Sequence, residues 1–234
     1  MTQKNFPQHI GIIMDGNRRY ARSKGMDPWK GHEEGEKKFE ELLKWCEEFN
    51  LKELTLYTFS VQNFKRPKKE FDFLMNLLKN GAKKIIDDEK FNDKGVKIMF
   101  LGRLYLFDDE LQKLMNQVMN KTKDNKLHML NFAMGYGGRE EITDAVKKIA
   151  ENVKNNELKP EEITEETINK NLYLKSEPEL IIRTSGEKRT SNFLPWQSVY
   201  SEWCFVDKYW PEFTKEDFIA CLEDYSKRER RIGK

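Results

Sequence analysis

The residues best able to do chemistry open the chain. Asp15-Gly16-Asn17 ends an apolar run, and Arg18, Arg19 and Arg22 follow at once. This pattern reads as a buried strand, a tight turn and a helix start loaded with positive charge. Such a junction can hold a metal-bound diphosphate. Guanidinium forks and free helix N–H groups favour oxyanions, and the carboxylate offers oxygen to a hard cation.

Three further groups carry polar side chains in loops. Ser60, Asn63 and Arg66 follow a second apolar run; they are either turn-forming residues or groups beside a reacting centre. Arg183, Arg189 and Ser191 surround Gly186, which lets backbone approach closely. They form a donor-rich anion cradle or a solvated basic loop. Glu202 stands next to Trp203, as a positioned ligand or as a half-exposed strand residue.

The elements that must position these groups alternate. Apolar segments at 10–14, 53–59, 96–101, 127–132, 179–183 and 202–206 predict six strands. Between them, Phe39, Leu42, Leu43 and Cys46 recur at helical spacing. So do Phe71, Leu74, Met75, Leu78, Ala82 and Ile85; then Leu111, Leu114, Met115 and Val118; then Ile142, Ala145, Val146 and Ile149. The alternation predicts one α/β domain over residues 1–234, with a mostly parallel sheet flanked by helices. Residues 152–164 are polar and include Pro160, which predicts a surface connection. In such sheets ligands bind beyond the carboxyl ends of strands, where Asp15, Ser60 and Arg183 fall.

Composition narrows the function. With 38% apolar and 35% charged residues the chain can build a core under a highly charged surface. A net charge of +2 argues against a protein that reads nucleic acid with a broad basic face. Cys46, Cys204 and Cys221 lie far apart without a CxxC, which predicts three reduced thiols. With no signal-peptide pattern and no apolar run long enough for a bilayer, a cytoplasmic protein is expected. No P-loop is present, and Gly135-Tyr136-Gly137-Gly138 is not a dinucleotide fingerprint. The Asp-rich DDxxD pair of the all-helical prenyl synthases is also missing, since Asp87-Asp88 runs into Glu89-Lys90-Phe91.

Taken in order, several blocks carry a resemblance. They are 14–21, Gly31-His32 with Gly35, 59–67, Tyr136-Gly137-Gly138-Arg139, 183–197 and Arg231-Ile232-Gly233. Together they resemble the cis-prenyltransferases, the family of undecaprenyl and dehydrodolichyl diphosphate synthases. Arg18-Arg19-Tyr20 is closer to the archaeal and eukaryotic members. The resemblance implies a six-stranded, mainly parallel sheet and a hydrophobic tunnel for the growing chain. It implies a Mg2+-dependent condensation of isopentenyl diphosphate with an allylic diphosphate to a medium- or long-chain (Z)-polyprenyl diphosphate. A homodimer and transient membrane contact for product release are also expected.

Roles transfer by position. Asp15 matches the metal-linked aspartate, and Glu202 the second carboxylate implicated in magnesium binding. Gly16, Asn17, Arg18 and Arg19 match the holder of the allylic diphosphate, with His32 near it. Ser60 and Asn63 match polar residues near the reacting carbons, in the block that also holds Arg66. Arg183, Arg189 and Ser191 match the isopentenyl diphosphate cradle. Arg231 and Gly233 match a C-terminal element that reaches a site across the dimer interface. Phe39, Leu74, Met75 and Leu78 are tunnel-wall candidates or ordinary helix core.

Four positions depart from the common bacterial pattern: Pro28 for an Arg, Gln62 for a Glu, Gly135 for an Asn, and His128 for an apolar residue. They bear on substrate preference and product length more than on reaction class. Two alternatives stay on the same scaffold: a non-catalytic partner subunit, and a condensation of unusual regiochemistry. An unrelated phosphohydrolase is more distant.

Overall fold

The computed structural model describes residues 6–229. Six strands form one sheet: β1 (His9–Ile13), β2 (Glu53–Ser60), β3 (Val96–Leu101), β4 (His128–Tyr136), β5 (Leu180–Arg183) and β6 (Glu202–Phe205). Their order is β3-β4-β2-β1-β5-β6, and every pairing is parallel. The helices are α1 (Asn17–Ser23), α2 (Gly31–Glu48), α3 (Lys68–Asp87), α4 (Lys90–Asp93), α5 (Asp109–Thr122), α6 (Gly138–Lys154), α7 (Glu165–Asn171) and α8 (Lys215–Lys227). The expected α/β class and six-stranded parallel sheet are therefore present.

Side-chain alternation divides the core between the sheet's two faces. Ile10, Ile12, Leu54, Leu56, Leu130, Phe132 and Ile182 pack in the larger cluster with Leu42, Leu74, Leu111 and Phe218. Ile13, Ala133 and Ile181 face the smaller cluster with Tyr136, Phe193 and Leu194. Strands buried on both faces read as continuous apolar runs, which is why they were legible.

Three expectations need correction. The fourth strand does not stop at 132 but continues to Tyr136, because Ala133, Met134 and Tyr136 stay buried and pair with β2. Gly135 interrupts the apolar pattern there; its φ of +55° is a conformation that glycine, and after it asparagine, adopts most readily. The 152–164 connection is shortened, since α6 runs on to Lys154. Cys204 and Cys221 are not separate thiols: they form a disulfide joining β6 to α8, with Cα atoms 6.0 Å apart. Two cysteines on different elements give no spacing motif, so only the fold reveals the pair. Cys46 remains a free, buried thiol, pushed up to about 12 by that burial.

No helix among the described residues is long and apolar enough to cross a membrane.

Candidate active site

The parallel sheet brings the carboxyl ends of β1 and β5 side by side, with Ile13 paired to Arg183. Asp15 follows β1, and its backbone is fixed from two sides. Its carbonyl accepts from the Thr184 hydroxyl at 2.7 Å and from the Trp210 N–H at 3.0 Å. Gly16 then turns the chain at φ +106°, where a Cβ would lie 2.8 Å from the Tyr209 ring. A larger residue here would displace the turn that starts α1.

The Asp15 carboxylate sits between two arginines. Arg183 Nη2 donates to Oδ2 at 2.7 Å, and Arg19 Nη2 lies 3.3 Å from Oδ1. Burial works to raise the Asp15 pKa, but the hydrogen bond and charge of Arg183, with Arg19 and Ser185, outweigh it and hold the carboxyl below its usual value. Asp15 is therefore an anion at neutral pH.

Around it opens a cleft of about 300 Å³, lined by Met14, Asp15, Gly16, Asn17, Arg18, Arg19, Arg22, His32 and Arg66. Its floor is a polar knot on buried Glu70. Arg66 Nη1 donates to Glu70 Oε1 at 2.7 Å, and Arg18 Nε is 3.6 Å from the same oxygen. His32 Nε2 stands 3.3 Å from Arg66 Nη1. Burial, then the charges of Arg66 and Arg18, push His32 down to about 3, so it is neutral across the physiological range. Arg18 Nε, Arg183 Nε and Asn17 Oδ1 are buried without a hydrogen-bond partner. Arg18, Arg19, Arg22 and Arg66 all line the cleft, and a wall so rich in guanidinium groups suits an oxyanion.

Arg183 is the hinge of a second wall. Though only 2% exposed, it donates through Nη1 to Ser191 Oγ at 2.7 Å and to the Arg189 carbonyl, while Nη2 holds Asp15. Arg189 is exposed and pairs with Glu187, whose other oxygen takes Arg19 Nη1 at 2.7 Å. Arg19 also donates to Ser185 Oγ at 2.6 Å. The two arginine groups are thus linked through Glu187 and Asp15.

Beside the cleft lies a second space of about 290 Å³ between the sheet and helices α2 and α3. Phe39, Leu43, Leu74, Leu77, Leu78 and Ile85 line it from the helices, and Leu56, Phe100 and Phe132 from the sheet. Met14, Asn17, His32 and Arg66 border both spaces. Asn63 also lines the apolar one, and its Oδ1 accepts the Ser60 N–H at 2.9 Å.

Most of the expected groups therefore converge: Asp15, Gly16, Asn17, Arg18, Arg19, His32 and Arg66 in the cleft, and Arg183, Arg189 and Ser191 beside it. Phe39, Leu74 and Leu78 face the apolar space, whereas Met75 is a core residue outside its lining. Glu202 is elsewhere. It pairs in register with Leu180, three residues before the Arg183 level, and its carboxylate binds Arg228. His128 is satisfied by the Leu51 carbonyl at 2.7 Å and does not line the cavity. Arg231 and Gly233 lie outside the described residues. Sequence reasoning missed Glu70, Ser185 and Glu187. Only Glu70 left a local signal, an acidic residue in the first turn of α3, four positions after Arg66.

Residues 13–233 match the family model described as "Putative undecaprenyl diphosphate synthase". The chain is 47% identical to a tritrans,polycis-undecaprenyl-diphosphate synthase (geranylgeranyl-diphosphate specific) of Methanocaldococcus jannaschii, covering 100% of this chain and 85% of that one. It is 45% identical to an isoprenyl transferase of Thermus thermophilus, over 97% of this chain and 89% of the other. Among solved structures, lavandulyl diphosphate synthase from Lavandula x intermedia, in complex with dimethylallyl diphosphate, superposes with a TM-score of 0.93 at 32% identity. That match covers 98% of this chain and 99% of the other.

Proposed function

The chain belongs to the undecaprenyl diphosphate synthase family of cis-prenyltransferases, and from that premise we propose how its site works and on what. The observation that carries the reading is the junction of a guanidinium-lined cleft with an apolar cavity through Met14, Asn17, His32 and Arg66. An allylic diphosphate matches both halves: its charged head suits the cleft and its hydrocarbon tail the cavity.

Arg18, Arg19 and Arg66 surround the departing diphosphate and stabilise charge as the allylic carbon–oxygen bond breaks. Arg183, Arg189 and Ser191 hold isopentenyl diphosphate, so that its double bond faces the allylic carbon near Asn63. A carbon–carbon bond forms, and the isopentenyl unit loses a proton to a diphosphate oxygen. Each added unit extends apolar surface into the cavity, favourable by about 25 cal/mol per Å² buried.

Asp15 fits the magnesium role, being an ionised carboxylate beside the phosphate donors. When bound, Mg2+ spreads the negative charge of the diphosphate. Glu202 does not meet Asp15 within one chain, so it joins that role only if a second protomer supplies it. We propose such a homodimer, because β6 is an edge strand with exposed Phe205 at its end and exposed Val199 and Tyr200 in the turn before it. We also propose a cytoplasmic enzyme in transient membrane contact, since its product is apolar.

The primer we propose is geranylgeranyl diphosphate, by analogy with the Methanocaldococcus relative, and the product a long (Z)-polyprenyl diphosphate. The likeness to a lavandulyl synthase keeps an irregular condensation as the second reading. Purified protein with labelled isopentenyl diphosphate, Mg2+ and primers from dimethylallyl to geranylgeranyl diphosphate tests both. Long linear products are expected; branched products by NMR select the second reading, and no incorporation with any primer overturns both.

A further inference from the structure

The loop after β5 carries an unusual backbone. Ser185, Ser191, Asn192 and Leu194 all have positive φ, at 80°, 51°, 65° and 49°. Serine and leucine keep such conformations only where their surroundings hold them, whereas asparagine adopts them more readily. In the 191–194 stretch the contacts of Asn192 supply that hold.

Helix α6 begins at Gly138 with Gly137 as its cap, so no side chain at its own start can accept its first N–H groups. Asn192 does so from across the fold. Its carbonyl accepts from Gly138 N at 2.8 Å, and its side-chain Oδ1 accepts from Arg139 N at 2.9 Å. Its Nδ2 donates to Glu140 Oε2 at 2.9 Å. The two glycines are the counterpart of this contact. A Cβ on Gly138 would fall 1.9 Å from Pro195, and one on Gly137 2.7 Å from Asn192 Nδ2.

The residue before Asn192 is Ser191, whose hydroxyl accepts from Arg183 and whose carbonyl accepts from Tyr57 Oη at 3.3 Å. A continuous path therefore runs from the start of α6 through Asn192 and Ser191 to Arg183 and Asp15. We infer that Asn192 is a positioning residue. By capping α6 from a distance it holds Ser191 and Arg183 in the geometry that cradles isopentenyl diphosphate, without touching the substrate itself. The inference rests on the cradle assigned above.

Steady-state kinetics on the full chain test it. Asn192→Ala is expected to raise KM for isopentenyl diphosphate about tenfold while KM for the allylic diphosphate stays within about twofold. In a Ser191→Ala background the same change should add little, because the two residues act through one path. Asn192→Asp places a second carboxylate against Glu140. Adding Glu140→Gln exchanges donor and acceptor and should restore the wild-type KM. Asn192→Gly keeps the positive φ but not the side-chain cap; it serves if the alanine variant misfolds and should show the same split. Equal changes in both KM values, no change in either, or failure of the exchanged pair to rescue would overturn the inference, with the family reading intact. Should the wild type incorporate no isopentenyl diphosphate, the function reading itself fails. Calorimetric titration with inorganic diphosphate then decides for Asn192. About tenfold weaker binding at one of two sites supports the positioning role, and unchanged or uniformly weakened binding refutes it.

Discussion

The polar cleft and the apolar cavity adjoin and are nearly equal in volume, yet they are built in opposite ways. The cleft is assembled from strand ends and loops distant in sequence, and each charged group there has few partners. Asp15 depends on Arg183 and Arg19; Arg183 in turn holds Ser191 and the Arg189 carbonyl. The cavity is walled by many similar side chains on α2, α3 and the sheet, none of them unique. A site made of unique partners should fail when one is lost. A wall of redundant hydrocarbon should change by degrees.

Asp15→Asn is the strongest way to break that contrast. It keeps side-chain shape but removes the anion between two guanidiniums. Turnover is expected to fall by about 10³-fold, the scale of losing a principal electrostatic group at a reacting centre. Circular dichroism should show the fold intact. Leu77→Ala, in the cavity wall, should cost less than about tenfold. Similar losses for both would mean the regions are not built differently.

Arg183→Met comes next, read as stability. The substitution takes a buried donor away from the half-buried Asp15 carboxylate and from the Ser191 hydroxyl and Arg189 carbonyl of the exposed loop. Breaking one side of a fully buried pair costs about 3–5 kcal/mol, and water reaching Asp15 reduces this to about 1–3 kcal/mol. Urea unfolding should show this as a large drop in midpoint, and a drop no larger than that of a surface arginine would refute the pairing.

The cleft should also be the acid-sensitive half. His32 is held down to about 3 by burial and by Arg66 and Arg18, with Glu70 opposing them more weakly from 3.9 Å. Unfolded, it titrates near 6.5. Between these values the unfolded chain binds the extra proton, so stability falls as pH drops from about 6.5 toward 3. Asp15, also depressed, adds loss of the same sign at the acid end, as pH falls through its folded value. His32→Gln should remove part of the decline, about 4–8 °C in Tm between pH 7 and 5. Only part is removed, because buried His9 is depressed too. An unchanged pH slope in the variant would place the sensitivity elsewhere.

The same contrast explains what could be read from residues alone. Asp15-Gly16-Asn17 was legible because strand end, turn and helix start are consecutive, and Leu74 and Leu78 because helical spacing is local. Glu187 was not, since its partner Arg19 lies 168 positions away, and neither was the Cys204–Cys221 link. Local pattern also cannot resolve one-residue rotations around a helix. Met75 shares the α3 stripe with Leu74, yet about 100° of turn takes it from the cavity wall into the core. Glu202 shows the other limit: its strand was predicted, but its distance from Asp15 follows from sheet register, which alternation does not encode.

The smallest effect probes the cavity wall from inside α3. Leu74, Leu77 and Leu78 give way one turn later to Gly81 and Ala82, all facing the apolar space. Glycine within a helix is less favourable than alanine by about 1 kcal/mol. Nothing lies within 4 Å of where a Gly81 Cβ would stand, and its φ is not in the left-handed range. Neither crowding nor backbone shape demands glycine, so the cost is set against space in the cavity. Gly81→Ala should therefore raise Tm by about 2–4 °C and shift the product distribution slightly shorter. A lower Tm would mean that the site is not open. A higher Tm with unchanged products would mean that the hydrocarbon chain does not press on this turn, and that the graded behaviour of the wall begins deeper, toward Phe100 and Phe132.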